Sequence, residues 1–224
     1  MNDDFSQRPF ELVEFAENSE QRCPCLLLLD VSASMSGSKI NELNDGLIAF
    51  KNELLADSLA SKRVEIGVVT FGPVEVKQEF VTVDQFYPEH LSPQGNTPMG
   101  EAIVRGINLL QERKDKYKNA GVKYYRPWIF LITDGEPTDA YHEAASRVRS
   151  GEDRKEFSFF AVGVEGANLG TLSQITSPNR PPVKLRGLAF RELFQWLSSS
   201  LKAVSQSKPG DVVVLPPNGW SAID

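Results

Sequence analysis

Two spacings of apolar residues alternate along this chain, one continuous or two-fold and one helical. Residues 26–29 are four consecutive leucines, the pattern of a strand buried on both faces, as in a parallel sheet covered by helices. From Ile40, the apolar residues Leu43, Leu47, Phe50, Leu54 and Leu55 recur at helical spacing, with Ser38 as the expected N-cap. Residues 64–71 read as the next strand, punctuated by Gly72-Pro73. Residues 74–80 alternate apolar and polar, which predicts a half-exposed antiparallel partner at a sheet edge. A helix follows from Pro98, with Ala102, Ile103, Ile107 and Leu110 on one face. Its charge-rich continuation, residues 113–118, reads as a solvated helix end. Then come a strand at 128–133, a helix at 140–149, a strand at 156–162, a short helix at 169–175, a brief strand at 183–185 and a final helix at 189–204. Such alternation predicts an α/β fold, a doubly wound and mostly parallel central sheet with one antiparallel edge strand and helices on both faces.

The expected organisation is an N-terminal arm at residues 1–20, one domain at 21–207 and a tail at 208–224. The tail carries Val212, Val213, Val214, Leu215 and Trp220, too apolar for a free linker, so it is expected to dock on the domain or on a partner. With 41% hydrophobic and 24% charged residues the composition is that of an ordinary globular chain. A net charge of −6 argues against a nucleic-acid surface. No stretch approaches the roughly 20 apolar residues of a membrane span. The acidic, polar start lacks the basic and apolar regions of a secretory signal, and two cysteines make no disulfide framework. The expected location is cytoplasmic. Cys23 and Cys25 are expected to be reduced thiols packed near the start of the first strand.

The chemistry concentrates where apolar strands end. Asp30, Ser32 and Ser34 follow the leucine run at alternate positions, so one carboxylate and two hydroxyls project the same way. Ligands of open α/β sheets sit at that carboxyl end. The strand at 128–133 also ends in a carboxylate, Asp134, followed by Gly135 and Glu136, and the turn-rich loop before Pro98 adds the Thr97 hydroxyl. These oxygen donors suit a hard cation. Each alone is ordinary turn or cap chemistry. Their joint presence, each after an expected strand or loop, makes Asp30, Ser32, Ser34, Thr97 and Asp134 a candidate metal site.

Two rival readings differ in class. A Mg2+-dependent phosphohydrolase with an aspartate nucleophile wants a second acid two residues on, where this chain has Ser32. His90 and His142 are isolated, and no Walker-type phosphate loop is present. A structural subunit, whose metal only pins loops, predicts metal-dependent stability without metal-dependent partner binding.

Residues from about 20 to 205 resemble the von Willebrand factor A (vWA) family, whose metal-ion-dependent adhesion site has the pattern DxSxS…T…D, filled here by Asp30, Ser32, Ser34, Thr97 and Asp134. The resemblance implies a Rossmann-like fold and a Mg2+ or Mn2+ ion. It implies that Ser32, Ser34 and Thr97 touch the ion and that Asp30 and Asp134 act through waters. It also implies a coordination position open to an Asp or Glu of a protein partner, hence a binding module and no enzyme. Glu136 would shape the rim. Within the family, the runs Leu-Asp-Val-Ser-Ala-Ser-Met-Ser-Gly, Gly-Asn-Thr-Pro-Met-Gly-Glu-Ala and Ile-Thr-Asp-Gly-Glu-Pro-Thr-Asp look like the bacterial TerY-like, tellurium-resistance-associated group. That kinship implies a stress-response or defence complex, with a protein kinase or a PP2C-like phosphatase as partner and no nucleic acid or membrane. Ala33 departs from the Gly common in this loop but leaves the ligand pattern untouched.

Overall fold

A computed structural model describes residues 15–222. In chain order its elements are β1 (Cys23–Asp30), α1 (Ser38–Leu55), α2 (Ala60–Arg63), β2 (Val64–Phe71), β3 (Glu75–Thr82), α3 (Met99–Asn119), β4 (Trp128–Thr133), α4 (His142–Asp153), β5 (Ser158–Gly163), α5 (Leu169–Ile175), β6 (Val183–Lys184) and α6 (Phe190–Gln206). The six strands form one sheet in the order β3-β2-β1-β4-β5-β6. Every pairing is parallel except that of β3, which runs antiparallel to β2 at the edge. The doubly wound α/β architecture expected from the alternating pattern is the one observed.

The leucine run is apolar on every residue because β1 is covered on both faces. Leu27 and Leu29 pack with Leu43 and Leu47 of α1 and with Phe190 and Phe194 of α6. Leu26 and Leu28 point the other way, into a second core with Ile103 and Leu110 of α3, Val148 of α4 and Leu172 of α5. One strand therefore feeds two cores, as a parallel sheet between helical layers requires.

Some local expectations are corrected. Ser38 is the first residue of α1 and caps nothing; the cap position is Gly37, whose φ of 79° lies in the left-handed region where a side chain would be strained. Leu55, the last of the apolar residues at helical spacing, is exposed. Residues 113–118 are solvated on one face only: Asp115 and Lys118 are exposed, but Arg113, Lys114 and Tyr117 are buried. For Arg113 and Tyr117 the burial has an electrostatic cause at the start of β2. The fully buried Glu65 accepts from Arg113 Nε and Nη2 at 2.7 Å each and from the Tyr117 hydroxyl at 2.5 Å. Arg22 Nε stands 2.8 Å from the same carboxylate. The sequence spacing between Glu65 and Arg113 hides this cluster, which only the sheet brings together.

Most of the expected N-terminal arm, residues 1–14, lies outside the described residues; its described part begins with Phe15, whose ring lies under Arg22 and Arg113. Only the end of the tail pairs with the β6 edge, through Arg186 N to the Trp220 carbonyl and Ala222 N to the Lys184 carbonyl at 2.9 Å each, while Val212 and Val214, expected to dock, are exposed. Trp220 packs against Trp196 of α6, Trp196 Nε1 donates to the Pro216 carbonyl at 2.8 Å, and Leu185 bridges Ser221. Cys23 and Cys25 are free thiols buried in the first core.

Candidate metal centre

Strand order builds the centre. The chain leaves β1 toward β2 on one side and returns to pair β4 with β1 on the other, so the connections diverge between β1 and β4. A crevice opens at such a divergence, beyond the carboxyl ends of the strands. Leu29 is in register with Ile132, which sets Asp30 beside Thr133 and Asp134.

Asp30 is fully buried. Its Oδ1 accepts from the Ser32 backbone N–H at 2.8 Å, which bends the chain after β1 into a short 3-10 turn. Its Oδ2 accepts from the Thr133 hydroxyl at 2.5 Å, and the Thr133 oxygen in turn accepts from Gly135 N at 3.2 Å. The Ser32 and Ser34 hydroxyl oxygens are 3.0 Å apart, and Ser34 Oγ donates to Asp134 Oδ1 at 2.6 Å. The second Asp134 oxygen lies 2.5 Å from Lys39 Nζ, contributed by the first turn of α1.

Thr97 arrives from a third segment. Its loop is locked to the one after β1 by Ala33 N donating to the Gly95 carbonyl (3.2 Å) and Gln94 N donating to the Val31 carbonyl (2.7 Å). Gly95 has φ 67°, and a Cβ there would stand 2.4 Å from the Gly72 carbonyl oxygen, so glycine is required on both counts. The loop after β4 holds Thr97 from the other side: Thr97 N donates to Thr138 Oγ1 at 3.1 Å, and Thr138 N to the Thr97 carbonyl at 2.9 Å. Asp139 accepts from Gly100 N (3.0 Å) and Glu101 N (2.8 Å), supplying the start of α3 with the cap that Pro98 lacks. A Cβ built on Gly135 would stand 3.4 Å from Thr97 Oγ1 and 3.9 Å from Asp30 Oδ2, so these two oxygens face one small space.

All five residues singled out in the sequence thus line one crevice, on three separate segments. Glu136, expected at the rim, is exposed and accepts from Asn168 Nδ2. His90 and His142 are exposed, and the ring of His142 stacks on Tyr141. Sequence reasoning missed Thr133, Lys39, Thr138 and Asp139. Thr133 had a signal, being a polar residue in a fully buried strand next to a candidate acid.

The donor set fits a small hard cation. It is all oxygen, combining two buried carboxylates with three hydroxyls, and among the described residues no cluster of three or more His, Cys, Asp or Glu offers a softer or more anionic alternative. Burial pushes the Asp30 carboxyl above its ordinary value and the nearby Asp134 carboxylate adds to this, while hydrogen bonds from Ser32 and Thr133 act the other way. The buried Asp30 carboxylate, which has no ammonium or guanidinium among its hydrogen-bond partners, is the group whose charge a bound cation would stabilise most.

The von Willebrand factor type A domain model matches residues 26–191. The chain is 26% identical over 163 residues to the collagen alpha-6(VI) chain of Mus musculus, a match that covers 70% of this chain and 7% of that one. Among solved structures, the pilus adhesin SpaC from Lactobacillus rhamnosus GG superposes with a TM-score of 0.62 at 13% identity, covering 81% of this chain and 30% of that one. The vWF domain of the type V pili tip protein Mfa5 from Porphyromonas gingivalis gives 0.55 at 9% identity, covering 87% and 99%. At such identities the solved structures speak for the fold. This chain corresponds to a small part of the collagen chain's length.

Proposed function

This chain belongs to the von Willebrand factor type A domain family, whose domains commonly serve protein–protein interaction, and on that premise we propose that it is a metal-dependent protein-binding module. One observation carries the reading. Two buried carboxylates, Asp30 and Asp134, share a crevice at the switch point of the sheet with the hydroxyls of Ser32, Ser34 and Thr97. The three hydroxyls would be direct oxygen donors, and the two acids would supply charge. A bound Mg2+ or Mn2+ would provide a hard Lewis-acidic centre with affinity for a carboxylate. Ser34 is the exposed member of the set, so the centre opens to solvent on its side, toward an Asp or Glu of a protein partner.

Binding is favoured over catalysis by what surrounds Asp30. Its two oxygens are engaged by Ser32 N and Thr133 Oγ1, an arrangement that holds a carboxylate still and leaves it poorly placed as a nucleophile. The finer setting rests on the motif resemblance alone: a TerY-like adaptor in a cytoplasmic stress-response or defence complex, with a protein kinase or a PP2C-like phosphatase as partner.

The test is calorimetric titration of Mg2+ and Mn2+ into chelator-treated protein, wild type beside Asp30→Ala, repeated with acetate as a carboxylate probe. Saturable binding that is lost in Asp30→Ala and tightened by acetate is the expected result. An absence of metal binding by the wild type would overturn the proposal. Metal binding indifferent to acetate, with a rise in thermal stability, would replace it with a loop-stabilising role.

A further inference from the structure

Lys39 is the charged residue of the centre that the five-oxygen pattern does not contain. Its ammonium lies 2.5 Å from Asp134 Oδ2 and donates to the Ser34 carbonyl at 3.5 Å. The Asp134 side chain is fully buried and that of Lys39 is 23% exposed, so water only partly screens the pair. The loop after β5 closes the other side, since a Cβ on Gly166 would stand 3.0 Å from the Asp134 carbonyl oxygen and 3.8 Å from Lys39 Nζ.

The polar contacts of Lys39 lie outside helix α1. Lys39 is the second residue of an 18-residue helix whose first turn has no acidic residue. It sits at the positive end of the helix dipole, where a cation is unfavourable. Its ion pair is with Asp134, across the crevice from the helix.

We propose that Lys39 sets the charge of the metal centre, loosening its hold on the cation and strengthening its demand for an acidic partner residue. This inference rests on the metal-dependent reading above. Two carboxylates alone would neutralise a dication, and the loaded centre would have little electrostatic appetite for a further anion. With the Lys39 ammonium bound to Asp134, the same loaded centre carries one net positive charge. Lys39 thus repels the incoming cation and, once the cation is held, attracts the carboxylate that completes its coordination. Glu136 and Glu165 stand exposed on the neighbouring loops, where solvent screens them more strongly than it screens the Lys39–Asp134 pair.

The experiment compares wild type, Lys39→Met, Lys39→Gln and Lys39→Arg by calorimetry with Mn2+, each with and without saturating acetate, and by thermal unfolding in chelator. Removal of the charge should tighten Mn2+ binding by roughly five- to fifty-fold, within the usual span of coupling between neighbouring sites. The factor by which acetate tightens Mn2+ should shrink in the same two neutral variants, and Lys39→Arg should track the wild type on both measures. In chelator, Lys39→Met and Lys39→Gln should unfold at lower temperature, because Asp134 is then buried without its counter-charge. A lysine acting only as a structural tie would give weaker or unchanged Mn2+ binding when removed. Wild type that binds Mn2+, with neutral variants that bind it no tighter, would overturn the role of Lys39 and leave the metal reading standing. Wild type that binds no Mn2+ would overturn both.

Discussion

Thr133→Val isolates one hydrogen bond at the base of the metal centre. The side chain is fully buried at the end of β4, valine has almost the same shape, and its β propensity suits the strand, so the backbone should not move. The exchange removes the hydroxyl that donates to Asp30 Oδ2 at 2.5 Å and accepts from Gly135 N at 3.2 Å. A hydrogen bond to a charged group contributes about 1.5–3 kcal/mol, and an extra buried methyl returns at most about 0.8 kcal/mol. Gly135 is only half-buried, so water can satisfy its N–H and that loss is small. The net cost in chelator should be about 2 kcal/mol, a fall of about 4–8 °C in Tm for a domain of this size. The effect on metal should be larger in relative terms. Asp30 loses the contact that fixes its second oxygen, and losing such a supporting contact to a metal-site residue typically costs about 10–100-fold in affinity. Thermal unfolding in chelator and calorimetric Mn2+ titration measure the two effects separately, with Thr133→Ser as the control that keeps the hydroxyl. An unchanged Tm together with unchanged Mn2+ affinity would refute the reasoning that Thr133 orients Asp30.

Three further expectations concern other parts of the molecule. Gly135→Ala should alter stability by no more than about 0.5 kcal/mol, because the added methyl meets its neighbours at ordinary contact distances, yet it should weaken Mn2+ by at least about tenfold by crowding Thr97 and Asp30; equal affinity in a titration would count against the centre lying there. Glu65→Gln should destabilise by about 3–5 kcal/mol, read as a lower urea midpoint, because it removes the carboxylate that the buried Arg22 and Arg113 share, and a shift under about 1 kcal/mol would show that the cluster matters little. Burial, reinforced by the Glu65 charge, pushes the Cys23 thiol from 9.0 up to about 12, and burial raises Cys25 as well. The folded chain then keeps protons that the unfolded chain releases, so this part of the stability is complete below pH 9 and is lost as pH rises from there toward 12. Urea midpoints at about pH 8 and about pH 10.5 should fall more steeply for wild type than for Cys23→Ala/Cys25→Ala, and parallel slopes would contradict the assignment.

How far the sequence reaches is clearest from pairs of neighbouring residues. The leucines of β1 announce a two-sided strand because apolar residues at every position can be buried only between two covering layers, and the same logic identifies β2 and β4. Asp30, Ser32 and Ser34 were readable as a unit because their spacing is local. The burial of Arg113 was not legible because a charge is solvated by default, and only a partner far along the chain, here Glu65, makes its burial affordable. Lys39 was invisible for a similar reason: nothing within α1 reveals that a carboxylate of the loop after β4 stands 2.5 Å away.

The order of residues was therefore enough to predict the six strands, the longer helices, the doubly wound class and the five oxygen donors of the candidate centre, since each depends on spacings of a few residues, whereas the short α2 was not foreseen. Strand order, the β1–β4 crevice, the tie between Asp30 and Thr133 and the ammonium on Asp134 were decided only in three dimensions. Burial is written into each residue's own polarity and period, whereas the partner of a buried charge is set by which distant segments the sheet lays side by side.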